Sequence, residues 1–179
     1  MSERHFSLLP FLSAAALPRI QIAGCLTRCS KLLRISYVLS GDLRDIVLST
    51  FSDEPVRKNG LWKHTCFELF LAVESSPRYW EFNLSPAGHW NVYRFLAYRE
   101  GMTEETAFAS LPVKVRSDPD CLRLELEVDL GSIVRADQTL AIGISAVLKQ
   151  ISGEKTYWAL THCGPQADFH RRDSFSIRL

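Results

Sequence analysis

"CLRLELEVDL", residues 121–130, decides the fold. Leu122, Leu124, Leu126, Val128 and Leu130 fall on one side of an extended chain, and Arg123, Glu125, Glu127 and Asp129 on the other. Side chains alternate across the two faces of a strand. The pattern therefore predicts an antiparallel strand with one face buried and one in water. The same period runs outward from it. "LLRISYVLSG" (32–41) sets Leu33, Ile35, Tyr37 and Leu39 together, and "CFELFLAV" (66–73) sets Phe67, Leu69, Leu71 and Val73 together. "SFSIRL" (174–179) ends the chain on Phe175, Ile177 and Leu179. "TLAIGISAVLKQI" (139–151) is apolar on both faces and reads as a central strand, because Gly143 and its β-branched residues disfavour a helix. Turn residues stand between these runs at "SGD" (40–42), "SSPR" (75–78), "SPAGH" (85–89), "SDPD" (117–120) and "SGEK" (152–155). One short helix is expected in "GMTEETAFASL" (101–111). Short strands at this spacing predict an all-β protein, an antiparallel β-sandwich or barrel.

The 179 residues suit one domain, 1–179, with an apolar segment at 1–18 packed on it. The 21 basic and 20 acidic residues leave a net charge of +1, and no block of like charge appears, which argues against a nucleic-acid partner. No run approaches the roughly 20 apolar residues needed to span a bilayer, so no membrane partner is expected. Five scattered Cys with no CxxC pair read as free thiols in a reducing compartment. "FSLLPFLSAAALP" (6–18) has the apolar run of a secretory signal, but Pro10 interrupts it and its basic flank is thin, so a cytoplasmic protein is expected.

"YWEFNLSPAGHW" (79–90) is the densest stretch for chemistry. Pairing Glu74 with Tyr79 sets Val73 opposite Trp80, Leu71 opposite Phe82 and Leu69 opposite Leu84, apolar against apolar. Pairing Ser85 with Trp90 sets Phe82 opposite Tyr93, Trp80 opposite Phe95 and Glu81 opposite Arg94. Trp80 then belongs to the core. The other face collects Glu68, Glu81, Asn83 and Arg94, with Trp90 at its rim. Such a face is either solvated, held by weak Glu–Arg pairing, or a ligand site.

Catalytic signatures are absent: no GxSxG, P-loop, GxGxxG, HExxH or EF-hand pattern occurs. Glu68 and Glu81 could in principle act as a glycosidase pair, but sheets gather such pairs by chance, and a non-enzymatic protein is expected. His162, Cys163 and His170 lie close in "THCGPQADFH" (161–170) without metal-ligand spacing, so no metal is expected there.

"GLWKHTCFELFL" (60–71), "YWEFNLSPAGHW" (79–90) and the terminal "FHRRDSFSIRL" (169–179) occur in an order that resembles DOMON-like domains of the uncharacterised bacterial type, and through them family 9 carbohydrate-binding modules. The resemblance implies a jelly-roll or immunoglobulin-like β-sandwich that binds a sugar, or another small polar ligand, without turnover. By motif it implies Trp62 as a ring that stacks on sugar, with Glu68 and Asn83 as hydroxyl partners. Glu81 and Arg94 join them by register. Trp158 is taken as the second stacking ring, with His162 as its alternative, and His170 comes from the terminal motif. Thr65 stands where such modules commonly carry Asp, and no structural calcium is expected. Other DOMON relatives hold haem between Met and His. No cofactor is expected here, with haem on Met102 and His170 as the alternative. A protein-interaction module is the third reading.

Overall fold

The computed structural model describes residues 2–12 and 17–179. In chain order its strands begin with β1 (Ser2–Ser7), β2 (Leu9–Pro10), β3 (Ile20–Cys29), β4 (Leu32–Gly41), β5 (Cys66–Val73), β6 (Tyr79–Leu84) and β7 (Trp90–Phe95). They continue with β8 (Thr103–Glu104), β9 (Lys114–Asp118), β10 (Cys121–Asp129), β11 (Leu140–Lys149), β12 (Lys155–Ala159) and β13 (Ile177–Arg178). A small sheet runs β1-β3-β4-β10-β9, and a larger one runs β2-β12-β11-β5-β6-β7-β8, with β13 added to β11. All pairings between these strands are antiparallel.

The two sheets face each other across one apolar core. β10 contributes Leu122, Leu124, Leu126 and Val128, while Arg123, Glu125, Glu127 and Asp129 stay exposed, as its alternation requires. β4 adds Leu33, Ile35, Tyr37 and Leu39. From the larger sheet come Phe67, Leu69 and Leu71 of β5, Trp80, Phe82 and Leu84 of β6, and Ile142, Ile144, Ala146 and Leu148 of β11. Tyr37 crosses the core, and its hydroxyl donates to the Glu68 carbonyl at 2.9 Å. A buried phenol needs such a partner. The molecule is thus an antiparallel β-sandwich.

Three expectations change. The β5–β6 hairpin pairs Ala72 with Tyr79, Leu71 with Trp80 and Leu69 with Phe82. That is two residues from the expected register, and a slip of two keeps every side chain on its face. The β6–β7 hairpin pairs Leu84 with Trp90, Phe82 with Val92 and Trp80 with Arg94. That is a slip of one, and it turns all of β7 over. Trp90 and Val92 face the core, while Asn91, Tyr93 and Phe95 face outward. "GMTEETAFASL" forms no helix: it holds β8 and turns. The apolar N-terminal segment supplies β1 and β2, with Phe6 and Leu8 in the core. Residues 13–16 of that segment lie outside the described residues.

Candidate functional site

The outer face of the larger sheet follows from its registers. One row across the strands is Tyr157, Val147 and Cys66. The next is Ser145, Glu68, Asn83 and Asn91, then Gly143, Phe70, Glu81 and Tyr93, then Ala141, Ala72, Tyr79 and Phe95. The last two rows carry a second apolar cluster, onto which the C-terminal segment folds Phe175 and Phe169. Phe175 fits because Gly143 has no side chain; a Cβ there would lie 2.8 Å from the Phe175 ring. The tail reaches Glu81 through His170 but does not close over all of the outer face. Between it, the 61–63 turn and β12 opens a cleft of about 350 Å³.

Glu68, Glu81 and Val147 form its floor, Trp62 and Tyr157 stand on opposite sides of it in the strand order, and Phe169 with His170 close a third side. Trp62 sits on a 3-10 turn, Leu61–Lys63, opened by Gly60 at φ 74°, and its ring meets Tyr93 edge-on at 5.5 Å. Glu68 is 3% exposed and accepts from the Ser145 hydroxyl at 3.0 Å. Glu81 is 4% exposed and accepts from Asn83 Nδ2 at 2.8 Å. Burial pushes the pKa of both carboxyls up, and for Glu68 the neighbouring Glu81 pushes the same way.

His170 lies at the inner end of the tail. The Tyr79 oxygen accepts from the Arg99 backbone N–H at 3.1 Å and is hydrogen-bonded with His170 Nδ1 at 2.8 Å. The other ring nitrogen, Nε2, lies 3.8 Å from Glu81 Oε2. Burial, with Arg99 second, lowers the His170 pKa to about 4 and keeps it neutral near pH 7. Arg99, at the mouth, is tied to Asp168 at 2.7 Å, which fastens the 96–101 loop to the tail.

Of the residues singled out from sequence, Trp62, Glu68, Glu81 and His170 line this one cleft. Asn83 is fully buried beneath it, holding Glu81 through its amide and accepting from the Cys66 thiol at 3.5 Å. Two residues lie elsewhere. Arg94 points away from the outer face because β7 is turned over, and its guanidinium reaches Thr103 at 3.5 Å. Trp158 faces the core, 4% exposed, with its indole N–H on Thr156 at 3.0 Å. Its neighbour Tyr157 holds the outer position. Trp90 is also core, with Arg57 stacked on its ring at 4.3 Å. Sequence reasoning missed Tyr157 and Ser145. The alternation Thr156-Tyr157-Trp158 carried the signal, since an inward Trp158 requires an outward Tyr157.

A larger groove, about 510 Å³, crosses the outer face of the small sheet. No aromatic ring lines it, and the side chains crossing it include the exposed Arg34–Glu127 ion pair. The smaller cleft has the aromatic walls and buried polar floor of a ligand site.

The antiparallel β-sandwich is a fold that solved structures of carbohydrate-binding modules share. A candidate carbohydrate-binding protein from Bacteroides uniformis superposes with a TM-score of 0.70 at 11% identity, over 96% of this chain and 83% of that one. A family 9 carbohydrate-binding module from Caldicellulosiruptor kristjanssonii, solved with cellotriose, matches with a TM-score of 0.50 at 14% identity, over 82% and 68%. The same module with glucose gives 0.50 and 14%, over 82% and 69%. No protein-family model and no curated protein matches the chain.

Proposed function

We propose that this protein is a non-catalytic sugar-binding domain of the DOMON-like type and that the cleft on the outer face of its larger sheet is the binding site. One observation carries the reading. Trp62 and Tyr157 stand apart across a floor of Glu68 and Glu81, on a fold that family 9 modules solved with glucose and cellotriose share. The apolar C–H faces of a pyranose pack on aromatic rings, and carboxyl, amide and hydroxyl groups satisfy its hydroxyls. Glu68 and Glu81 supply carboxyl groups from adjacent strands of the sheet, so little order is lost on binding.

The reading uses no cofactor. Met102 and His170 line the same cleft, but the donor set fits a haem poorly. His170 Nδ1 is held by Tyr79, and Nε2 lies 3.8 Å from the Glu81 carboxyl. A Soret band in the purified protein would overturn the sugar reading in favour of haem. The direct test is titration calorimetry with a panel of mono- and disaccharides. Binding that is lost in Trp62→Ala supports the site; no binding to any saccharide at millimolar concentration overturns it.

A further inference from the structure

We propose that the cleft prefers a saccharide carrying a protonated amine, a 2-amino sugar, and that Glu68 and Glu81 together receive the ammonium group. This rests on the saccharide reading above. Both carboxyls are nearly buried, at 3% and 4% exposure, and both line the cleft. Glu68 lies opposite Asn83, two residues along β6 from Glu81, so the two share one face. A carboxylate withdrawn from water needs a cation beside it or takes up a proton.

The protein supplies no such cation to Glu68. Among the described residues its side chain accepts one side-chain hydrogen bond, from the neutral Ser145 hydroxyl at 3.0 Å. Glu81 is met by the neutral Asn83 amide and by His170, whose burial keeps it uncharged. Tyr79, Tyr93 and Cys66 face the same region as a phenol, a phenol and a thiol, each held protonated by burial. Arg99 is the cation whose charge reaches Glu81, and its guanidinium is committed to Asp168 at 2.7 Å. Lys155 lines the outer part of the cleft on β12, three strands from Glu81.

The floor therefore presents two carboxyls without a committed counter-ion, in a cleft that the rings of Trp62 and Tyr157 also line. Carboxylates with aromatic faces are the chemistry that recognises an ammonium ion. A neutral sugar hydroxyl can bond to these carboxyls while burial keeps them protonated, but it does nothing to stabilise their ionised form. An ammonium adds charge-assisted hydrogen bonds, roughly twice as strong as neutral ones.

The test is titration calorimetry of the full chain at pH 7 with glucosamine, glucose and N-acetylglucosamine. Glucosamine is expected to bind about tenfold tighter than glucose, and N-acetylglucosamine, which has lost the charge, no tighter than glucose. That preference is expected to fall toward one in Glu68→Gln and in Glu81→Gln, each checked for folding by its melting transition. Equal affinity for glucosamine and glucose overturns this inference and leaves the saccharide reading standing. A preference that survives in both folded variants overturns the assignment to these carboxyls. No binding to any of the three, or to a wider saccharide panel, overturns both.

Discussion

On β5 and β6 the inward side chains (Phe67, Leu69, Leu71, Trp80, Phe82 and Leu84) and the outward ones (Glu68, Phe70, Tyr79, Glu81 and Asn83) are all buried, but by different means. The inward set meets a second sheet along its whole length. The outward set meets loops and a C-terminal tail, which packs on its apolar residues and, through His170, on Glu81. A sheet closed by another sheet leaves no gap, whereas one closed by a tail leaves whatever the tail does not reach. Here the gap falls at Glu68 and Glu81, which line it and are still buried well enough to perturb their carboxyls.

The largest expected effect breaks the inward face. Phe82→Ala opens a cavity in a fully buried position and should cost about 3–5 kcal/mol in denaturant unfolding. Next comes the seam between tail and outer face. Gly143→Ala drives a methyl into the Phe175 ring and should cost about 1–3 kcal/mol, with Phe175 displaced in a structure of the variant.

The polar rows sharpen the comparison through pH. Glu68 has its pKa raised in the folded protein, first by burial and then by Glu81. Stability from such a group is present below its ordinary value of 4.5 and is lost as pH rises through the folded value. Glu68→Gln should therefore melt higher than the parent at pH 8 and lose that advantage at pH 4. His170 runs the other way. Its pKa is lowered from 6.5 to about 4, so its contribution is present above 6.5 and lost as pH falls through about 4. Calorimetric melting across this range, on the parent and on His170→Asn, separates the two slopes.

The smallest effect is at Arg94. On the core-facing side of an outer strand, with one long contact to Thr103, Arg94→Gln should shift stability by no more than about 0.5 kcal/mol and leave saccharide affinity unchanged.

The period of two was enough to read the sandwich, because β4 and β10 are apolar on one side only. It placed Glu68, Glu81 and Asn83 on one face for the same reason. It failed on β7, where "WNVYRF" is apolar on both sides and cannot select a face by itself. There the turn decides. Gly88 takes φ 82° and donates to the Ser85 carbonyl at 2.9 Å, so the loop absorbs five residues, 85–89, rather than four. One extra residue turns the strand over and takes Arg94 from the site. Trp158 is misplaced for a different reason: the resemblance implies a second stacking ring without fixing its position, while alternation with Tyr157 sets the face. The tail that shapes the cleft is set by Phe175 against Gly143, a contact 32 residues apart that no local pattern records.

The central claim is that the outer cleft, and not the open groove on the small sheet, takes a saccharide. Amide chemical-shift mapping during titration with glucose and glucosamine tests it most directly. The account predicts shifts confined to the surroundings of Trp62, Glu68, Glu81, Tyr157 and His170. Shifts gathered around Cys25, Arg34 and Glu125, or none at saturating sugar, would contradict it.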